Sequence, residues 1–252
     1  MYVLQRHVII NLLYPPACLL CRKALQYAES CSTEADGSEP AVICDDCLNA
    51  MPRSGPPVCV RCGVGLPGAF DAQCQCTSCR RLPLAFEMAR APWQYTGVAR
   101  TAVRELKYHR RWRIGRWLAD EMVTIARSSL PLDAIDIVLP VPLHWLKRRV
   151  KGFNPTEQLA QAIAQSLEKP YRPRVLRRSR WTTTQTHLGW SERFRNVRQA
   201  FIADAQSVRG RTALLIDDVL TSGATANACA LALKEAGVRR VFVLTAARTP
   251  LE

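Results

Sequence analysis

Ten of the eleven cysteines fall between Cys18 and Cys79, and eight of them stand in four Cys-x-x-Cys pairs: Cys18 and Cys21, Cys44 and Cys47, Cys59 and Cys62, Cys76 and Cys79. Two thiolates on one tight turn supply half of a tetrahedral zinc site, so four such turns make two four-cysteine sites. A disulfide framework would need an oxidising compartment, and no secretory signal is evident. The apolar stretch 8–14 is far too short to span a bilayer, lacks a small-residue cleavage site and runs into Pro15 and Pro16. It reads as a short packing helix of a cytoplasmic protein that does not span a membrane. Buried free thiols or a redox pair would not require the same spacing four times. Consecutive pairs are expected to share a metal, as in tandem ribbons. Cross-braced pairing of alternate turns stays open, as does the choice between Cys74 and Cys76. Residues 1–90 are therefore read as a double zinc ribbon whose metals staple a segment too small for its own core. Cys31 falls in a polar stretch, 29–40, that reads as a loop.

The formal charge of +14 is concentrated in the middle of the chain. Counted along the sequence, 100–211 holds 23 Lys and Arg against 9 Asp and Glu, whereas the remainder has 12 of each. Such a block predicts polyanionic partners: phosphorylated substrates, nucleic acid or acidic surfaces. A zinc held by four thiolates carries two net negative charges, so the cysteine-rich segment becomes acidic when loaded.

Residues 91–252 alternate helical and strand patterns. Apolar spacing predicts helices over 97–108 and 115–128, and 136–142 reads as a short strand ending in prolines. Asn154 is placed to cap a helix whose first turn holds Pro155. A strand over 212–216, a helix over 224–236 stopped by Gly237 and a strand over 240–244 follow. The fold class expected is α/β, a mostly parallel sheet flanked by helices, with ligands at the carboxyl ends of the strands.

The stretch LLIDDVLTSGAT, 214–225, places Asp217 and Asp218 at such a strand end and follows them with Thr221, Ser222, Gly223, Ala224 and Thr225 at the start of a helix. Backbone N–H groups, three hydroxyls and the helix dipole would converge there on a phosphate. The adjoining carboxylates can accept hydrogen bonds from a vicinal diol, which points to a sugar phosphate. A GxxxxGK[ST] loop and a GxGxxG fingerprint are both missing, which argues against P-loop and dinucleotide-binding folds. The plainer alternative is an ordinary strand-to-helix connection with a hydroxyl cap.

This stretch resembles the phosphoribosyl pyrophosphate (PRPP) motif of type I phosphoribosyltransferases. The blocks LLYPPACLLC, ELKYHRR, PVPLHWLKRRVKGFNP and TQTHLGWSERFRNV, in that order before it, resemble the ComF (competence protein F) family over nearly the whole chain. Lys151 stands where that family has an arginine, and Pro155 where glutamine is common. The resemblance implies a type I phosphoribosyltransferase fold in which Asp217 and Asp218 hold the ribose hydroxyls and act in catalysis, and 221–225 hold the 5'-phosphate. It implies that Arg148, Arg149, Lys151 and Gly152 face pyrophosphate with Mg2+, and that Arg177, Arg178, Gln185, Arg193 and Asn196 belong to a closing cover. For each arginine a solvated surface charge is the competing reading.

Two functions follow from this resemblance. In one, a PRPP-binding ComF-like protein handles internalised single-stranded DNA during natural competence and DNA uptake, with DNA-uptake or recombination proteins as partners. In the other, an active magnesium-dependent phosphoribosyltransferase modifies an acceptor unrelated to DNA. Trp112, Trp117, Trp145, Trp181 and Trp190 are interleaved with the basic block, a pattern that suits single-stranded nucleic acid. Trp112 and Trp117 fall on or beside helices and are expected to be core or half-buried, leaving Trp181 and Trp190 as stacking candidates. The RRLPLAF segment, 80–86, is expected to pack as a linker rather than to dock a partner. Cys229 reads as a small core residue, and His109, His144 and His187 have no ligand partners at metal spacing.

Overall fold

The computed structural model describes residues 17–25, 42–68, 74–108, 112–143, 154–179 and 200–251. In chain order its elements are α1 (Asp45–Asn49), α2 (Thr77–Arg81), β1 (Met88–Arg90), β2 (Trp93–Gln94), α3 (Gly97–Tyr108), α4 (Trp112–Ser129), β3 (Ile137–Pro140), α5 (Pro155–Ser166), β4 (Leu176–Arg178), β5 (Phe201–Ala203), α6 (Ala205–Val208), β6 (Thr212–Leu220), α7 (Ala224–Glu235) and β7 (Arg240–Arg248). The chain divides into two compact units, Met1–Met51 and Pro52–Glu252. The first contains α1; every other element belongs to the second.

Residues 213–216 and 241–244 are apolar at every position, and all eight side chains are buried. A strand with no polar face must be covered on both sides, which is the situation of a parallel sheet between helical layers. The sheet runs β1-β7-β6-β3, and β2 continues along the β1 edge of β7. All its pairings are parallel: Met88 lies opposite Phe242, Trp93 opposite Ala247, Ile137 opposite Ala213 and Leu214 opposite Phe242. The α/β class expected from the alternating pattern is thus the one observed.

Helix positions follow from apolar spacing. In α3 the buried residues are Ala99, Ala102, Val103 and Leu106, and in α4 they include Ile114, Leu118, Met122 and Val123, each one stripe of a 3.6-residue period. The α5 helix buries Leu159, Ala160, Ile163 and Ala164 and packs against α4 and β3. Its entry is set as the sequence predicts, with Asn154 Oδ1 accepting from the Thr156 N–H at 3.2 Å and Pro155 in the first turn. The stretch 8–14 lies outside the described residues. No helix among the described residues is long and apolar enough to cross a membrane.

Two strands run further than their sequence patterns predict. β6 continues through Asp217 and Asp218 to Leu220, because β7 also continues, to Arg248, and pairs with it: Asp217 lies opposite Thr245 and Leu220 opposite Arg248. The apolar run stops at Ile216, while the backbone ladder goes on.

Candidate functional site

Each cysteine cluster is assembled from the same two local pieces. In the first, the Cys18 N–H donates to the Lys23 carbonyl at 2.8 Å and the Arg22 N–H to the Cys18 carbonyl at 2.9 Å, closing a knuckle around Cys18 and Cys21. In the second, Cys59 donates to Val64 at 2.8 Å and Gly63 to Cys59 at 2.9 Å. The residue that ends each knuckle, Arg22 or Gly63, has φ of 67°, in the left-handed region. The second pair of each cluster sits at a helix start: Cys44 precedes α1, which carries Cys47, and Cys76 precedes α2, which carries Cys79. The Cys44 N–H points at Cys18 Sγ at 3.4 Å, and the Cys76 N–H at Cys59 Sγ at 3.3 Å. Backbone donors thereby favour a thiolate on the first cysteine of each cluster.

The sulfurs of Cys18, Cys21, Cys44 and Cys47 all lie within 4.8 Å of one another, as do those of Cys59, Cys62, Cys76 and Cys79. Pairing is consecutive, and Cys76 rather than Cys74 joins the second cluster. Burial opposes ionisation of Cys18, yet hydrogen bonds from the Cys21 and Cys44 backbone bring its thiol down to about 6. Cys59 is pulled down by side-chain hydrogen bonds from Cys62 and Cys79, while the same contacts push Cys79 up, and the bond to Cys59 raises Cys62 to about 11. Four thiols this close cannot all ionise without a cation between them, and an all-sulfur donor set of this size could hold a metal ion and suits zinc.

The second cluster is part of the core of the α/β unit. Its four cysteines, Val64, Phe86 and Ala89 pack with Leu215, Val243 and the buried face of α7. The Arg61 guanidinium donates to the carbonyls of Leu84 and Phe86, and the Ala85 N–H donates to Asn227 Oδ1 at 2.7 Å. The RRLPLAF segment packs within the second unit, with Phe86 buried.

At the acidic end of β6 the Asp218 N–H donates to Asp217 Oδ1 at 2.9 Å, and both carboxylates are half-buried. The chain then turns through Thr221, Ser222 and Gly223 into α7. Gly223 has φ of 82°, a conformation that side chains disfavour, and it allows the helix to start directly beneath the turn. Ser222 Oγ accepts from the Ala224 N–H at 3.3 Å, taking the capping role that glycine cannot. The first turn of α7, with Thr225 half-exposed, thus opens beside two carboxylates.

Arg177 and Arg178 lie on β4, paired antiparallel with β5. Burial lowers the Arg178 guanidinium, and the charges of Cys229 and Asp217 act the other way. Cys229 is fully buried; burial first and then Asp217 push its thiol well up, which fits a core residue and not a nucleophile. Arg148, Arg149, Lys151, Gly152, Gln185, Arg193 and Asn196 lie outside the described residues, as do Trp145, Trp181 and Trp190.

Trp117 stacks on buried Trp93 with ring centroids 6.0 Å apart, in line with the half-buried reading. Trp112 corrects that reading: it is 58% exposed, because it opens α4 ahead of the first residue of the buried stripe, Ile114. It borders a cavity of about 430 Å³ with Arg116, Asp120, Gln158, Gln161 and Gln165. Arg248, buried at the end of β7, is a further site residue that sequence reasoning passes over. Its only signal is a charge that closes the strand after seven uncharged residues, 241–247.

No protein-family model matches the sequence. Amidophosphoribosyltransferase of Escherichia coli is 29% identical over 140 residues, 56% of this chain and 25% of that protein. Competence protein F of Haemophilus influenzae is 25% identical over 236 residues, 92% of this chain and 96% of that protein. DNA utilization protein YhgH of Salmonella typhimurium is 31% identical over 238 residues, covering 93% of this chain and 98% of that protein. A match of that strength across nearly the full length of both chains, with the two cysteine clusters and the acidic strand-to-helix turn in place, means that the chain belongs to the family of competence protein F and YhgH.

Proposed function

We propose that the α/β unit binds PRPP with magnesium, that both cysteine clusters hold structural zinc, and that the protein serves DNA utilization by handling internalised single-stranded DNA in the cytoplasm. The observation that carries the ligand reading is the acidic pair on β6 followed at once by the Gly223 turn into α7. Asp217 and Asp218 accept hydrogen bonds from the ribose hydroxyls, and the turn 221–225 receives the 5'-phosphate at the positive end of α7. Arg178, whose charge is felt by Asp217, is assigned to supply positive charge to the ligand. Arg148, Arg149, Lys151 and Gly152 are assigned to pyrophosphate, and Gln185, Arg193 and Asn196, with Arg177, to the cover. Magnesium, when bound, neutralises the pyrophosphate.

The names of the matched proteins, DNA utilization protein and competence protein, support the DNA role. Within the described residues, exposed Trp112 beside Arg116 is the feature suited to it: an indole stacks on bases while cations follow phosphates.

A second reading is favoured by the match to an amidophosphoribosyltransferase. Here an acceptor forms a bond to the anomeric carbon as the bond to pyrophosphate breaks, and the leaving electron pair departs with pyrophosphate. The carboxylates of Asp217 and Asp218 stabilise the positive charge that develops on the ribose ring.

Calorimetric titration of PRPP and magnesium into the full chain tests the common part. Wild type should bind, and an Asp217→Asn, Asp218→Asn double variant should not. No heat with folded, zinc-loaded wild type would overturn the ligand reading. Pyrophosphate release in the presence of an acceptor separates the enzyme from the sensor.

A further inference from the structure

Arg248 is a buried cation whose hydrogen-bond partners are four backbone carbonyls and one sulfur. Its Nε donates to the Cys62 carbonyl at 3.2 Å, and Nη2 reaches Cys62 Sγ at 3.6 Å. Its Nη1 donates to the carbonyls of Leu220 at 3.0 Å, Thr249 at 2.8 Å and Thr221. One guanidinium thus spans the knuckle of the second cysteine cluster and the start of the turn after β6. We infer that Arg248 is a positioning residue through which the metal state of the second cluster sets the phosphate-facing amides of that turn.

Two physical arguments carry this. A trans peptide is planar, with its C=O and N–H pointing in opposite directions. Fixing the Leu220 carbonyl on Arg248 and the Thr249 N–H, and the Thr221 carbonyl on Arg248, therefore aims the Thr221 and Ser222 N–H groups the other way, on the side opposite the guanidinium. Those are the first two donors of the turn assigned to the 5'-phosphate, so the inference deepens the PRPP reading and rests on it for its ligand. The second argument is the shared anchor. Arg248 holds the carbonyl and the Sγ of one residue, Cys62, so a metal bound at that sulfur would fix both acceptors at once. Loss of that metal would free the Cys62 knuckle, and the guanidinium would lose the fixed end of its span.

Packing reinforces the link. A Cβ placed on Gly223 would meet the Phe86 ring at 4.0 Å, and Asn227, on the first turn of α7, holds the Ala85 N–H. The chain from the second cluster therefore reaches both ends of the turn.

The test uses the full zinc-loaded chain and an Arg248→Lys variant, because lysine keeps the charge but cannot span both partners with one rigid fork. Amide NMR spectra and the rates of zinc release to a chromogenic chelator are recorded for each. In the variant the Thr221 and Ser222 amide resonances should move and exchange faster. One of the two zincs should leave about tenfold faster and PRPP affinity should fall about tenfold, both within the usual range of coupling between sites. By reciprocity, PRPP should slow release of that same zinc in wild type. Unmoved turn amides, or two zincs leaving at wild-type rates, would overturn the inference. If the variant fails to fold, wild type decides alone: bound PRPP that protects neither zinc refutes the coupling. Absence of PRPP binding in wild type with shifted amides and faster zinc loss in the variant would remove the ligand reading and leave the coupling standing.

Discussion

Replacing Gly63 with alanine puts the second cluster under a load that can be worked out atom by atom. A Cβ at this position would lie 2.7 Å from the Ala89 carbonyl oxygen, closer than a carbon and a backbone oxygen tolerate. Neither side can give way cheaply. Ala89 is buried in β1, opposite Val243, and its N–H is held by the Arg61 carbonyl at 2.7 Å. The φ of 67° adds a left-handed cost of about 1–2 kcal/mol for a residue with a Cβ. Overpacking adds about 1–3 kcal/mol. The sum, about 2–5 kcal/mol, corresponds to a fall in Tm of roughly 4–20 °C for a unit of this size. The assay is thermal denaturation of the zinc-loaded full chain, with zinc counted before heating; one zinc per chain or a lowered Tm is expected. Arg22 holds the equivalent position in the first knuckle, exposed and at the same φ, so Arg22→Gly should slow metal loss from that cluster about fivefold, equivalent to about 1 kcal/mol. A Gly63→Ala protein that keeps two zincs and melts within about 2 °C of wild type would refute the reasoning.

Trp112→Ala should weaken binding of an unstructured oligothymidine by about 5- to 150-fold at low salt, the loss of one stacked base. Fluorescence anisotropy reads it, and an unchanged affinity removes the cavity between α4 and α5 from the nucleic-acid interface. Asn154→Ala should cost about 1 kcal/mol, visible as an earlier urea midpoint, because the Thr156 N–H loses its acceptor at the start of α5. A midpoint equal to wild type would show that water replaces the cap.

The features legible in the sequence are those built by neighbours along the chain. A Cys-x-x-Cys turn and a carboxylate pair followed by a hydroxyl-rich turn are local devices, and their spacing alone marks where each lies. Asn154 and Pro155 mark the start of α5 for the same reason. What stayed hidden depends on partners distant in sequence. The continuation of β6 through Asp217 to Leu220 is decided by β7, more than twenty residues on. The second cluster shares the core of the α/β unit because Phe86 and Ala89 pack under β7 and α7, a relation that cysteine spacing does not express. Trp112 looks half-buried on a helical wheel, yet it precedes the stripe that α4 turns inward. Arg248 gives almost no sign, since one arginine after seven uncharged residues reads as the solvated end of a strand until its five partners are seen.

The order β1-β7-β6-β3 also fixes a timetable for biosynthesis. β7 is the last of the described strands to leave the ribosome, yet it is the strand on which β1, β2 and β6 all close. Until it arrives, β1 and β6 present unpaired edges and apolar faces, the condition under which nascent chains stick to one another. The second cluster, in contrast, has all four cysteines within about twenty residues of chain. Metal captured early would hold Cys59 and Cys79 together while more than 150 residues are still to be added, so the supply of metal during translation bears on how much of the chain reaches its folded state at all.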